Sequence, residues 1–326
     1  MAEALSKIEH RLYPIGAFSE KEVVAVFTDA LCAEDVSIDE LMNEWRAKTQ
    51  AFESAAPPDL DVLDSEFLPI AVKEETVERI ESILRSFRYY LPPTFDLAFV
   101  PIRKLVTPQM SISREHARSV LKGTEGPISD DENASLCLGS PLPSHQIEAA
   151  YLGSPKTPSF QNSFSFVYQF SSDDPNLRFI PMQQLKPVRD MNLATEDAPF
   201  SYDAKAIPVA VGLALPIVHI LKVPKGSDPA TRMTTHRLII ANGIHRIFRL
   251  AELGNTHVAA LVQTMSYDDI PNPFIDGPKD KLFLPKPLTI STLADDHISR
   301  AFKWKKSRRV IKLQLTVNQE ISYFAD

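Results

Sequence analysis

His245 and Arg246 follow an Asn242-Gly243 pair inside a run, Arg237 to Val262, that reads as strand, tight turn, helix, turn, strand. An imidazole and a guanidinium side by side at a turn can hydrogen-bond an anion and stabilise the charge that develops in phosphoryl transfer. Leu238 to Ala241 is an apolar β-type run, and Asn242-Gly243 is a strong turn pair. Ile247, Phe248, Leu250, Ala251 and Leu253 then give a broad helical face, and Gly254 stands where a helix stop wants a left-handed residue. Val258 to Val262 is a second apolar strand. The pattern therefore sets His245 and Arg246 beside free backbone N–H groups at a helix N-terminus. Dipole, orphan donors and side-chain charge all favour an anion there, most simply a phosphate. The competing reading is a helix start with a solvated basic pair.

The elements that must position this turn are read from the rest of the chain. Residues 1 to about 92 predict a helical region. Ser19 with Glu22, and Ser37 with Glu40, resemble capping boxes that open two helices, and a third runs near Glu74 to Tyr90 before Pro92-Pro93. From Phe95 onward the pattern turns β. Phe99 to Leu105 and Phe179 to Leu185 share an F-[VI]-P-[IM]-x-x-L pattern, which fits either an internal duplication or two similar strands meeting in one sheet. Arg114 to Leu121 is a short helix, and Phe164 to Phe170 alternates as a strand does. Residues 123–162, rich in Ser, Pro, Gly and acids, predict a long surface insertion or a partly disordered loop. Beyond Ser266 a C-terminal extension of residues 266–326 contains a helix near Leu293 to Trp304 and a strand near Val310 to Val317.

Other chemistry is thinner. The 326 residues carry a net charge of −7, which argues against a uniformly basic nucleic-acid coat. Lys303 to Arg309 is a local exception: with Trp304 inside it, it could track a nucleic-acid backbone while the indole stacks on a base, or be a solvated helix end. His236 and His257 flank the turn unit at spacings that match no metal motif and read as surface histidines. Arg249 either extends the site or pairs with Glu252. Cys32 and Cys137 form neither a disulfide framework nor a zinc pattern. There is no Gly-x-Ser-x-Gly elbow and no Walker-type phosphate loop. No signal peptide is visible, and the apolar run Ala206 to Leu221 is interrupted and too short to span a bilayer. A soluble cytoplasmic protein without membrane contact is expected.

Leu215 to Val223, followed by Arg237 to Val262 with its Gly-x-His-Arg box, resembles the ParB/sulfiredoxin-like superfamily, with Ile180 to Arg189 resembling the opening strand. The resemblance covers roughly residues 177–265. It implies a phosphate cradle of Asn242, Gly243, His245 and Arg246, with Lys186 or Arg189 reaching across from the opening strand. Ile244 stands where sulfiredoxins carry their nucleophilic Cys, and no helix-turn-helix follows Ser266 as in the chromosome-partitioning ParB proteins. The resemblance leaves a ParB-like nuclease or nucleotide hydrolase. In it His245 and Arg246 act on phosphoryl charge, the ligand is a nucleoside triphosphate or nucleic acid, and Mg²⁺ is held by an acid among Asp190, Glu196, Asp197 and Asp203.

The expected architecture is thus α+β: a helical region over residues 1–92, a ParB/sulfiredoxin-like mixed-sheet domain over 93–265 with its insertion, and the extension. The alternative function is a non-catalytic nucleotide sensor or interaction module, whose N-terminal helices, charged tail and insertion engage a protein partner.

Overall fold

The computed structural model describes residues 8–86, 92, 94–139, 148–153, 163–172, 177–180, 189–192, 203–206, 210–213, 217–227, 234–272, 274–275, 277–305 and 309–318. Strand β1 (Ile8–Tyr13) leads into α1 (Glu20–Phe27) and α2 (Ile38–Ser54). Both predicted capping boxes are present: Ser19 Oγ accepts from Glu22 N at 3.4 Å while Glu22 Oε2 accepts from Ser19 N at 2.8 Å, and Ser37 pairs with Glu40 in the same way. Next come β2 (Leu68–Pro69), α3 (Glu74–Ser86), β3 (Asp96–Pro101), β4 (Leu105–Val106), β5 (Ile112–Ser113), α4 (Arg114–Val120) and α5 (Asp130–Leu138). Six strands follow, β6 (Glu148–Gly153), β7 (Ser163–Ser172), β8 (Leu177–Ile180), β9 (Arg189–Asn192), β10 (Asp203–Ala206) and β11 (Ala210–Leu213). The chain then forms β12 (His219–Ser227), β13 (Thr234–Asn242), α6 (Ile244–Glu252), β14 (His257–Thr264), α7 (Ile290–Ala294), β15 (Arg300–Lys305) and β16 (Arg309–Asn318). The fold is α+β with mixed sheets.

Two compact units divide the chain differently from the expected boundaries. Residues 1–141 and 216–306 form one, and residues 142–215 with 307–326 form the other. In the second, β7 pairs antiparallel with β6 and β16, β8 with β11, and β9 with β10.

The first unit holds a six-stranded sheet in the order β2-β3-β14-β12-β13-β4. β12 runs antiparallel to β13 and parallel to β14, so the β13–α6–β14 connection steps over β12. Leu60, Val106, Leu221, Val223, Ile239, Ile270 and Leu282 form one core cluster against it. A smaller sheet, β15-β1-β5, packs Tyr13, Phe302 and Trp304 against Phe18, Val23 and Leu41 from the α1–α2 region.

Three sequence expectations change. The N-terminal region is not wholly helical, because β1 pairs along its length with β15. Arg300–Lys305 is a strand rather than the end of a helix, since buried Phe302 and Trp304 alternate with exposed Lys303 and Lys305. Within the expected insertion lies α5, opened by a Ser129–Glu132 capping box and burying Asn133, Ala134, Cys137 and Leu138. The two F-[VI]-P copies also part company: Phe99 lies in β3 of the six-stranded sheet, Phe179 in β8 beside β11. Among the described residues no helix is long and apolar enough to cross a membrane.

Candidate functional site

The turn between β13 and α6 is built by one glycine. Gly243 adopts φ 93° and ψ 16°, and a Cβ there would lie 2.8 Å from Val218 Cγ2 and 3.1 Å from Val218 Cα. Both the left-handed backbone and the close approach of the chain entering β12 call for glycine. Asn242 Nδ2 donates to the Ile217 carbonyl at 2.8 Å and fastens the end of β13 to that same approach. The Gly243 carbonyl accepts from Arg246 N at 3.0 Å and Ile247 N at 3.1 Å, so α6 starts at once with no side-chain cap over its first amides. Burial of Ile244, Ile247, Phe248 and Leu250 fixes the helix's rotation.

His245 is half-buried and sits where three other elements converge. Its Nε2 accepts the Ser113 backbone N–H at 3.3 Å, which requires a neutral ring. The His116 ring stands edge-on to it, centroids 4.5 Å apart at 88°. Ser113 also caps α4, its Oγ accepting from His116 N at 3.2 Å, and donates to the Glu9 carboxylate at 3.4 Å. Arg11 lies opposite Ser113 in the β1–β5 register and donates through Nε to Glu9 at 2.6 Å. Burial pushes the His245 pKa down to about 3, and the positive charges of His116, Arg11 and Arg246 act in the same direction. The imidazole is therefore neutral near pH 7. Arg246 also lies within electrostatic reach of Cys137, a fully buried thiol pushed up to about 12 by desolvation.

The structure thus brings Asn242, Gly243, His245 and Arg246 together, and adds Arg11, Ser113 and His116, which the sequence reading missed. No local motif marks those three. The β1–β5 pairing and the docking of α4 on α6 bring them in from more than a hundred residues away. Lys186 lies outside the described residues, and Arg189 opens β9 in the second unit. Of the four candidate acids, Asp190 is in β9 and Asp203 in β10, while Glu196 and Asp197 lie outside the described residues. Among the described residues no three His, Cys, Asp or Glu side chains are grouped to hold a metal.

Several other expectations resolve. Arg249 takes the ion-pair alternative, 3.3 Å from Glu252, and also donates to the Thr124 carbonyl at 2.9 Å. Trp304 is in the core beside Tyr13 and Phe302, so its indole is not placed to stack on a base. His236 is not a surface residue: it is 5% exposed, with Nε2 3.1 Å from the Asp64 carboxylate.

That second histidine belongs to another His-Arg pair, at the opposite end of β13. Asp64 also holds Lys222 at 2.6 Å, and Asp61 lies 3.6 Å from Arg237 and 2.9 Å from Lys225. Arg237 further donates to the Leu282 carbonyl at 3.2 Å. The carboxylates are anchored by buried Leu60 and Val62, the latter exchanging two backbone hydrogen bonds with His236. Here the chain supplies its own anions.

No family profile, no curated protein and no solved structure matches the chain.

Proposed function

We propose that the chain binds a nucleotide or nucleic acid through a phosphate at the β13–α6 turn. The supporting observation is the charge around that turn. Arg11, His116 and Arg246 surround a neutral His245, and the nearby Glu9 carboxylate is already engaged by Arg11 and Ser113. α6 has no side-chain cap over its first turn, Arg246 supplies a forked cation, and the resemblance to the ParB/sulfiredoxin-like superfamily supports the same use of the box.

Of the two forms this reading takes, a binding or sensing module is favoured over a ParB-like nuclease or nucleotide hydrolase. The observation behind that choice is His245 Nε2, which is occupied as an acceptor and so is not donating to phosphoryl oxygen in this state. In the hydrolase form His245 and Arg246 would stabilise phosphoryl charge, and Mg²⁺ would supply further charge neutralisation at the phosphate.

A thermal-shift panel of nucleoside triphosphates and short DNA, with and without Mg²⁺, tests the reading. Wild type is expected to be stabilised by at least one ligand. Arg246→Ala should weaken that ligand by about ten- to a hundredfold, the scale of a charge-assisted hydrogen bond or two. Loss of every ligand effect in folded wild type would refute the site. Mg²⁺-dependent turnover of the bound ligand would restore the hydrolase.

A further inference from the structure

We infer that the first unit carries a second site, independent of the β13–α6 turn, that binds a small carboxylic acid with a single aromatic ring. The site is a cavity of about 170 Å³ walled by the end of α2, the segment between β4 and β5, and residues 274–288. None of its lining residues belongs to the turn. Phe18, Phe52, Met110, Phe274, Leu282 and Leu288 supply the apolar surface for a ligand's body.

Connecting segments seldom make an apolar wall, because their backbone groups want water or a partner. Here Pro108, Pro278 and Pro287 remove three amide donors from the lining. Neighbouring polar groups are spent on one another. Thr107 N donates to the Leu288 carbonyl at 2.9 Å, and Thr107 Oγ1 accepts from Gln109 N at 3.0 Å. Phe274 N donates to the Gly277 carbonyl at 2.8 Å, closing a tight turn that holds the β-branched Ile275 at φ 55°. That left-handed backbone persists only where its surroundings fix it. The Leu282 carbonyl accepts from buried Arg237 at 3.2 Å, which ties the opposite wall to β13. The walls are pinned separately, so the cavity is preformed.

Charge selects the head group. Lys286 lines the cavity, and its Nζ donates to the Phe52 and Glu53 carbonyls at 3.1 and 2.6 Å, capping the last turn of α2. An ammonium has three N–H donors, so one remains. Both acceptors are neutral, and among the described residues no carboxylate lies within 4.0 Å of Nζ. Lys281, the cavity's other lysine, is by contrast neutralised by Glu22 at 2.6 Å. A ligand carboxylate at Lys286 supplies both the missing acceptor and the missing charge. One such cation beside an apolar cavity matches a monoanion rather than a polyphosphate.

Volume and wall chemistry select the body. A dry cavity of about 150 Å³ lined by aliphatic and phenyl side chains takes benzene, so this one has room for one six-membered ring and a short arm. Three phenylalanine walls offer edge-to-face contacts to an aromatic ring, and Met110 offers a sulfur contact.

The test is calorimetry of the full chain at pH 7 with 3-phenylpropionate and with its neutral amide. The acid should bind about tenfold or more tightly than the amide, the scale of one charge-assisted hydrogen bond. Lys286→Met, which keeps an unbranched apolar stem, should bind both equally and weakly. Nuclear Overhauser contacts in wild type should join the ligand's ring protons to the Met110 methyl. The wild-type comparison and these contacts decide the matter even if Lys286→Met fails to fold. Equal affinity of wild type for acid and amide, binding without contact to Met110, or no binding of either at millimolar concentration would overturn the inference. No arm uses a phosphate, so the nucleotide panel is decided separately.

Discussion

One strand separates two copies of the same dipeptide. His236-Arg237 lies in the first half of β13 and His245-Arg246 just beyond its end, in the first turn of α6. In both pairs burial lowers the histidine's pKa. They differ in what faces them. Asp61 and Asp64 stand over the first pair and neutralise Lys222, Lys225 and Arg237 as well. Around the second pair stand Arg11 and His116, and the positive field is completed from within the cluster. The first pair meets carboxylates directly, whereas the second has further basic side chains beside its histidine. The difference lies in the neighbours, not in the dipeptide.

The largest way to break the comparison is to close the turn that only one pair has. Gly243→Ala should lose about 2–4 kcal/mol of stability in urea denaturation, from the left-handed backbone and a Cβ pressed 2.8 Å from Val218 Cγ2. A loss below about 1 kcal/mol would mean that the turn relaxes easily and that close approach is not what Gly243 provides.

Acid comes next. His245 is lowered from the ordinary 6.5 to about 3, so on acidification the unfolded chain takes its proton first. The stability from its neutral form is fully present above about pH 6.5 and is lost as pH falls toward 3. The slope is about 1.4 kcal/mol per pH unit for this one proton. His219, lowered to about 4 chiefly by burial, adds a loss of the same sign. Measuring stability across this range in wild type and His245→Gln should show the variant flatter by about that slope. Equal slopes would mean that His245 titrates normally.

The smallest effect sharpens the contrast from the other side. Asp64→Asn should destabilise by roughly 1–2 kcal/mol, discounted because Asp64 is itself 66% exposed although Lys222 and His236 are largely covered. Lys222 pulls the Asp64 carboxyl below the usual carboxylate range, so the contribution of this contact is fully present above about pH 4 and is lost progressively as pH falls from there through the lowered folded value. With the carboxylate gone, the first His-Arg pair should acquire weak sulfate affinity in isothermal titration calorimetry. No gain would mean that buried Leu60 and Val62 keep that face closed regardless of charge.

Local features were legible wherever a few adjacent residues decide the conformation. Asn242-Gly243 marks the turn, the apolar spacing from Ile247 to Leu253 marks α6, and Ser19–Glu22 and Ser37–Glu40 mark helix starts, because each signal is complete within a few adjacent residues. α5 escaped although Ser129 and Glu132 announce it. Its buried residues include the polar Asn133, whose side chain serves Ala259 N and the His257 carbonyl, so no apolar stripe is visible. β15 escaped because two alternations, Phe302 and Trp304 between lysines, are too few to separate from a helix end.

By itself, then, the sequence determined the strand, the glycine turn and the helix that set His245 and Arg246 in the first turn of α6, since backbone sterics and capping act between neighbours. Only the tertiary structure decided which His-Arg pair meets carboxylates and which meets Arg11, Ser113 and His116. Charges interact through space, and the groups that settle the matter arrive from β1, from the start of α4 and from the segment around Asp61, each more than a hundred residues away along the chain.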